Sequence, residues 1–276
     1  MCKKIKGIMA LALAFVCLMP RMIVNAEEAA PVTEVAPVTE VAPVTEVAPA
    51  EAVPTEYVSP EAQLYNQTAA EVSVAQATRQ LVLIGDSRTV GMKSAVGKNG
   101  NIWSAKIGMG YSWMKSTGVP QVEANINSNT DVVILMGVND VRSLSYTSKY
   151  TSYINEKAAN WTALGASVYY VSVNPMAFET SSYPGITNSV IESWNSKMKS
   201  GLSANVTYID TYSQVIGKVS SSDGIHYSRG TYKTIYSLIG QGILADKTEK
   251  AYAAALAATQ PTPEVAVVPQ EPVPAY

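Results

Sequence analysis

The chain of 276 residues has little of several things that proteins use for chemistry and cohesion. It has 2 cysteines, Cys2 and Cys17, both near the N-terminus, so no disulfide framework and no cysteine-based metal site can be built from them. It has one histidine, His226, which excludes the usual multi-histidine metal site and leaves one candidate for any imidazole chemistry. Charged residues are 15% of the chain and the formal net charge is −2, so the basic surplus that holds nucleic-acid phosphates is absent. Phenylalanine is nearly missing, 2 residues against 16 tyrosines, so the aromatic surface carries hydroxyls. Long apolar runs are missing too, apart from one near the start.

That run is expected to be a signal peptide over residues 1–26. Lys3, Lys4 and Lys6 precede an apolar stretch from Ile8 to Met19, and Val24-Asn25-Ala26 offers small residues before a cut at Glu27. Pro20 and Arg21 interrupt the run, which is short of the roughly 20 residues that a membrane span needs. Cleavage would remove both cysteines, four of the 20 cations and none of the 22 acids, taking the net charge from −2 to −6. The expected location is outside the cell, with the cell wall as a possible association. Residues 27–64 follow as a disordered linker. The hexad Ala-Pro-Val-Thr-Glu-Val starts at Ala30, Ala36 and Ala42, and a proline in each copy suits extended polyproline-II chain rather than helix or sheet. Residues 251–276 form a second disordered, proline-rich tail, with Pro261, Pro263, Pro269, Pro272 and Pro274.

The remaining residues, 65–250, make one domain. Short apolar runs predict strands over Leu81–Ile84, Ile102–Ile107, Val132–Met136, Val168–Val173 and Val206–Ile209. Two of these are apolar throughout, as strands buried on both faces are. Helical stretches are predicted between them, over Thr89–Val96, Val119–Asn127, Tyr146–Leu164, Ile186–Ser200 and Arg229–Ala245. The alternation predicts an α/β fold with a parallel sheet, whose sites lie at the carboxyl ends of the strands.

Four polar blocks fall there. Gly85-Asp86-Ser87-Arg88 follows the first strand, Gly108-Met109-Gly110-Tyr111 the second, Gly137-Val138-Asn139-Asp140 the third, and Asp223-Gly224-Ile225-His226 opens the last helix. Together they hold what acyl transfer requires. Ser87 at a strand-to-helix turn is a nucleophile in need of a base. His226 is the imidazole that can serve it, and Asp223, three residues earlier, can fix its tautomer. The backbone N–H groups of Ser87 and Gly110 and the amide of Asn139 can face an oxyanion, each such donor being worth about 3–4 kcal/mol of barrier. Gly108 qualifies as well as Gly110, which is preferred because a polar turn and helix start follow it. Each block alone could be a turn or a cap; all four in this order are hard to explain that way.

In order and identity these blocks resemble the SGNH hydrolase superfamily, the GDSL-like esterases, over about Leu81 to Ala245. Arg88 stands where a leucine gave the family its older name. The stretches Ser87-Arg88-Thr89-Val90-Gly91-Met92, Gly110-Tyr111-Ser112-Trp113-Met114 and Val171-Ser172-Val173-Asn174-Pro175 are similar to secreted members from Gram-positive bacteria. The resemblance implies a three-layer α/β/α, flavodoxin-like sandwich with a five-stranded parallel sheet. It also implies a serine esterase that uses no metal and no cofactor.

For substrate the sequence offers context. Tyr111, Trp113, Tyr146, Tyr150, Tyr153, Tyr183 and Tyr227 lie on or near the loops around the expected site, suited to stacking on sugars or to finishing a core beside water. Tyr111, Trp113 and Asp140 are the expected substrate contacts, and 178–185 is a candidate cleft cap. An acylated carbohydrate or cell-wall glycan, with acetyl as the acyl group, is the expected partner. The alternatives are a lipase or short-chain esterase, acyl transfer to a sugar on the same residues, or a carbohydrate-binding module without catalysis.

Overall fold

Each strand of the central sheet has apolar residues pointing both ways, and this decides how the chain layers. In the computed structural model, which describes residues 58–259, the strands are β1 (Gln80–Gly85), β2 (Ile102–Ala105), β3 (Thr130–Leu135), β4 (Ser167–Val171) and β5 (Val206–Ile209). All neighbours pair in parallel, in the order β2-β1-β3-β4-β5. Val82, Ile84, Val132, Ile134, Val168 and Tyr170 enter one core, and Leu83, Val133, Leu135, Tyr169 and Val171 enter the other. A period of two thus fills two separate cores, and the fold is the three-layer α/β/α sandwich with the flavodoxin-like strand order.

The first core is closed by α4 (Tyr146–Ala163) and α5 (Asn188–Gly201), with Tyr150, Ile154, Trp161, Ile191 and Trp194 buried in it. The second is closed by α2 (Ser87–Val96) and α7 (Arg229–Thr259), which contribute Met92, Ile235, Ile239 and Ile243. A further helix, α1 (Pro60–Gln76), packs on α7, where the rings of Tyr65 and Tyr252 meet edge to face at 5.3 Å. Between β2 and β3 a short helix, α3 (Tyr111–Trp113), widens into a π-helical turn, Met114–Gly118. A single turn, α6 (Tyr212–Val215), follows β5.

The structure departs from the sequence reading at three places. The helix expected over Val119–Asn127 is reduced to one 3₁₀ turn, Glu123–Asn125, and the helical residues lie upstream in α3 and the π turn. Pro120 has no N–H to give and crowds the carbonyl four residues back, so the helical segment stops before it. At the N-terminal end the helix starts at Pro60, inside the expected linker, because Ser59 caps it by accepting from the Ala62 N–H and Pro60 sits where its missing N–H costs nothing. At the other end α7 runs to Thr259, into the expected tail. Ala-rich sequence sustains it, and α1 gives it a packing partner. The expected signal peptide, the hexad repeats and the tail from residue 260 lie outside the described residues.

Candidate active site

The strand order reverses between β1 and β3, and loops leaving the carboxyl ends there diverge to leave a crevice. Ser87 follows β1 as the first residue of α2. The preceding Asp86 caps that helix, its Oδ1 accepting from the Arg88 N–H at 2.9 Å. Ser87 is thereby held at a fixed turn with its Oγ facing the loop that precedes α7. There His226 brings Nε2 to 2.9 Å from Ser87 Oγ, and its Nδ1 lies 2.7 Å from Asp223 Oδ2.

The His226 loop is tightly wound for this purpose. Asp223 Oδ1 accepts from the N–H groups of Ile225 (3.0 Å) and His226 (2.8 Å), so the carboxylate folds over its own loop before it meets the ring. Gly224 has φ +88°, and a Cβ there would stand 2.5 Å from the Phe178 carbonyl, so only glycine fits. Partial burial of Asp223 favours its neutral form. The bonds from the His226 ring, its N–H and the Ile225 N–H outweigh this and hold the carboxyl well below the usual carboxylate range. An ionised carboxylate only accepts, so the ring nitrogen beside it carries the proton. Nε2 is then free to accept from Ser87.

The second and third blocks lock onto each other. Asp140 Oδ2 accepts from the Tyr111 N–H at 2.7 Å and the Tyr150 hydroxyl at 2.8 Å. A Cβ on Gly110 would stand 2.3 Å from that same oxygen, which makes Gly110 the glycine that close approach requires. Gly108 has φ +73° and open space around it. Asn139 donates from Nδ2 to the Met109 carbonyl at 2.8 Å. A carbonyl can only accept, so the amide orientation is fixed and one hydrogen of the NH₂ remains to point elsewhere. Among the described residues, the N–H groups of Ser87 and Gly110 have no intramolecular acceptor.

The residues expected to touch substrate are also held by contacts within the protein. Asp140 is engaged internally by the two donors just named. Tyr111 packs edge to face on Tyr146, Tyr150 and Tyr153, with centroids 5.3–6.3 Å apart, and its ring and that of Trp113 pack against the core. Tyr227 is buried and donates to the Pro175 carbonyl. Of the aromatic group, Tyr183 reaches the Asp223–His226 pair: its hydroxyl donates to Asp223 Oδ2 at 3.3 Å, and its ring meets the His226 ring edge to face at 6.1 Å. It sits on 178–185, which Arg142 ties down through the Pro184 carbonyl at 2.6 Å.

The sequence does not single out Ser221, and it assigns Asp86, inside the first block, no role of its own. Ser221 donates to the His226 carbonyl, and Ser172, Thr211 and Asn174 form a separate buried hydrogen-bonded network. Asp86, beside Ser87, is buried, and burial pushes its carboxyl up to about 6 against the opposing charge and N–H of Arg88. The native state then binds a proton between about pH 4 and 6 that the unfolded chain releases, so this group's contribution to stability falls as pH rises through that window. Asp86→Asn keeps a good cap and removes the effect. Its stability relative to wild type should therefore rise between pH 4 and 7, by at most about 3 kcal/mol. Urea midpoints at the two pH values check it; a gap that does not widen would show that Asp86 is ionised throughout.

No family model matches the chain and no curated protein matches it. Among solved structures it is similar to a GDSL-like lipase from Bacteroides thetaiotaomicron, at 23% identity and TM-score 0.48 over 68% of this chain and 98% of that one. It is also similar to a lipase/acylhydrolase from Enterococcus faecalis, at 17% identity and TM-score 0.46 over 61% and 96% of the two chains. A third is a single-site mutant of an acetyl-xylooligosaccharide esterase from Geobacillus, at 16% identity and TM-score 0.45 over 60% and 94%.

Proposed function

We propose that this protein is a serine esterase, acting outside the cell, that removes small acyl groups from carbohydrate, acetyl being the favoured acyl and a cell-wall polysaccharide the favoured carrier. The observation that carries the proposal is the continuous chain from Ser87 Oγ through His226 to Asp223, at 2.9 and 2.7 Å. It is what an unactivated hydroxyl needs to attack an ester at neutral pH.

In this reading His226 Nε2 takes the Ser87 proton as Oγ bonds to the acyl carbon. The carbonyl electron pair moves to oxygen, which faces the N–H groups of Ser87 and Gly110 and the second amide hydrogen of Asn139. As the tetrahedral species collapses, the sugar oxygen leaves and takes the proton from His226. Water then repeats the sequence on acyl-Ser87, giving its proton to Nε2 and releasing the acid. Asp223 stays ionised and stabilises the imidazolium. A sugar hydroxyl in place of water would make the product a transferred ester, so acyl transfer uses the same atoms.

The His226 and Asp223 side chains are each 39% exposed. An open site of this kind suits an ester carried on a bulky polymer, and Tyr183 at its mouth offers an amphipathic ring to a sugar. The leader and hexad repeats suit export and display at a distance from the cell.

Release of p-nitrophenol from two-, four- and eight-carbon esters, by wild type and Ser87→Ala in parallel, tests the reading. Serine-dependent turnover with a steep preference for acetyl is expected. A preference for eight carbons would sink the small-acyl assignment. No turnover on any ester, together with glycan binding that Ser87→Ala leaves intact, would replace the enzyme with a binding module. Asn139→Ala should lower kcat by roughly 10²–10³ with little change in KM, since the lost donor acts on charge that develops only in the transition state. Steady-state kinetics check it, and an unchanged kcat would remove Asn139 from the oxyanion site.

A further inference from the structure

The residue after the nucleophile is an arginine that faces inward. Arg88 is 7% exposed. Its Nε donates to the Ile225 carbonyl at 3.0 Å and its Nη1 to the Asn174 carbonyl at 2.6 Å. The guanidinium carbon lies 5.0 Å from the centroid of the Tyr227 ring. Ile225 and Tyr227 are the two chain neighbours of His226, so one side chain holds the histidine's backbone on both sides. The backbone of Arg88 is itself anchored one residue past Ser87 by the Asp86 cap. Nucleophile and base therefore hang from the two ends of a single residue.

The third anchor is rigid as well. The Asn174 side chain accepts from Thr211 at 2.8 Å, and Thr211 is bound in turn to Ser172. A buried guanidinium is costly unless it is paired and bonded. Here the Asp86 carboxyl stands near it, the Tyr227 ring faces it, and two carbonyls accept from it. Nη2 has no partner among the described residues, and Arg88 borders a cavity of about 20 Å³ shared with Asp86 and Tyr232. A group whose only task was stability would be replaced at less cost by an apolar side chain of similar volume.

We propose that Arg88 is a positioning residue that sets the Ser87–His226 distance by clamping the His226 loop, through Ile225 and Tyr227, to the turn that carries the nucleophile. The proposal rests on the esterase reading for its kinetic consequences and is independent of it for its structural ones. A lysine cannot do this work, because one ammonium cannot bond two separated carbonyls in a fixed fork and lie over the ring.

His226 is the only histidine, so its imidazole resonances need no assignment, and the full chain can be observed with labelled histidine. The spectra of wild type, Arg88→Ala and Arg88→Lys, taken with steady-state kinetics, test the proposal. Both variants should shift or broaden the His226 Nε2 resonance, which reports the contact with Ser87 across to the other loop. Both should lower kcat about 100-fold at nearly constant KM, as a misplacement on the ångström scale does. Guanidinium at concentrations that do not unfold the protein should restore a large part of the Arg88→Ala loss, entering the space the side chain leaves, and should do nothing for Arg88→Lys.

Folded Arg88→Lys with wild-type kcat and unchanged imidazole resonances would overturn the proposal. Arg88→Lys keeps the charge and most of the volume, so it decides the matter if Arg88→Ala does not fold. Should wild type hydrolyse no ester, the esterase reading fails, and the resonances alone still decide whether Arg88 holds His226.

Discussion

His226→Ala should reduce ester turnover by at least about 10⁴-fold while the protein stays folded, and Ser87→Ala should do the same. The expectation follows from both sequence and geometry. The chain has one histidine, so no neighbouring imidazole can take over proton transfer. The ring is 39% exposed at the edge of the sheet and is absent from both apolar cores, so its removal leaves no core cavity. The two losses should not add. Once the base is gone the hydroxyl is an inert nucleophile, and once the hydroxyl is gone the base has nothing to deprotonate. The double variant should match either single one, with residual catalysis from the oxyanion donors alone. The measurement is single-turnover hydrolysis of an activated acetyl ester, with melting temperature recorded for each variant. Folded His226→Ala within tenfold of wild type would remove the triad from the mechanism.

What the sequence made legible was the part of the protein where local rules and global fold agree. The five strands stand out because each is a short run apolar on both faces, which few other structures tolerate. The four blocks stand out because each follows a strand or opens a helix, and a parallel sheet gathers those positions on one edge. Other parts depend on pairings that no local pattern announces. Helix α1 buries only Thr68 fully, so its residues show no strong apolar stripe, although Ser59-Pro60-Glu61 is a start signal that could have been used. The packing of the aromatic residues was hidden for a related reason. A tyrosine on a loop looks the same in sequence whether it faces solvent or another tyrosine. The contacts among Tyr111, Tyr146, Tyr150 and Tyr153 join residues from two separate helices. The sequence gives Arg88 no role because its acceptors are backbone carbonyls 86 and 137 residues away, and backbone groups leave no mark in a sequence.

Asp131→Ala should destabilise the protein by about 3–5 kcal/mol and leave kcat unchanged at temperatures where it stays folded. Asp131 is the second residue of β3, at the amino edge of the sheet, the edge opposite Ser87 and His226, and its side chain is 0% exposed. Oδ1 receives Arg79 Nε at 2.8 Å and Lys247 Nζ at 2.7 Å, while Oδ2 receives Gln76 Nε2 at 2.6 Å. Lys247 also donates to Gln76 Oε1 at 2.6 Å, and Arg79 extends to the carbonyls of Ser128 and Thr130. One carboxylate thus ties the end of α1, the middle of α7 and the start of β3. The alanine leaves two cations, with side chains 18% and 16% exposed, facing each other without a counter-charge. For a domain near 200 residues the loss corresponds to a fall in melting temperature of roughly 10 °C. Asp131→Asn keeps an acceptor for one donor and should fall between wild type and alanine. If Asp131→Ala melted within 2 °C of wild type, the cluster would be surface electrostatics only. If the alanine lowered kcat at low temperature, the amino and carboxyl edges would be coupled through the sheet, and helix α1 would belong to the catalytic unit as well as to the fold.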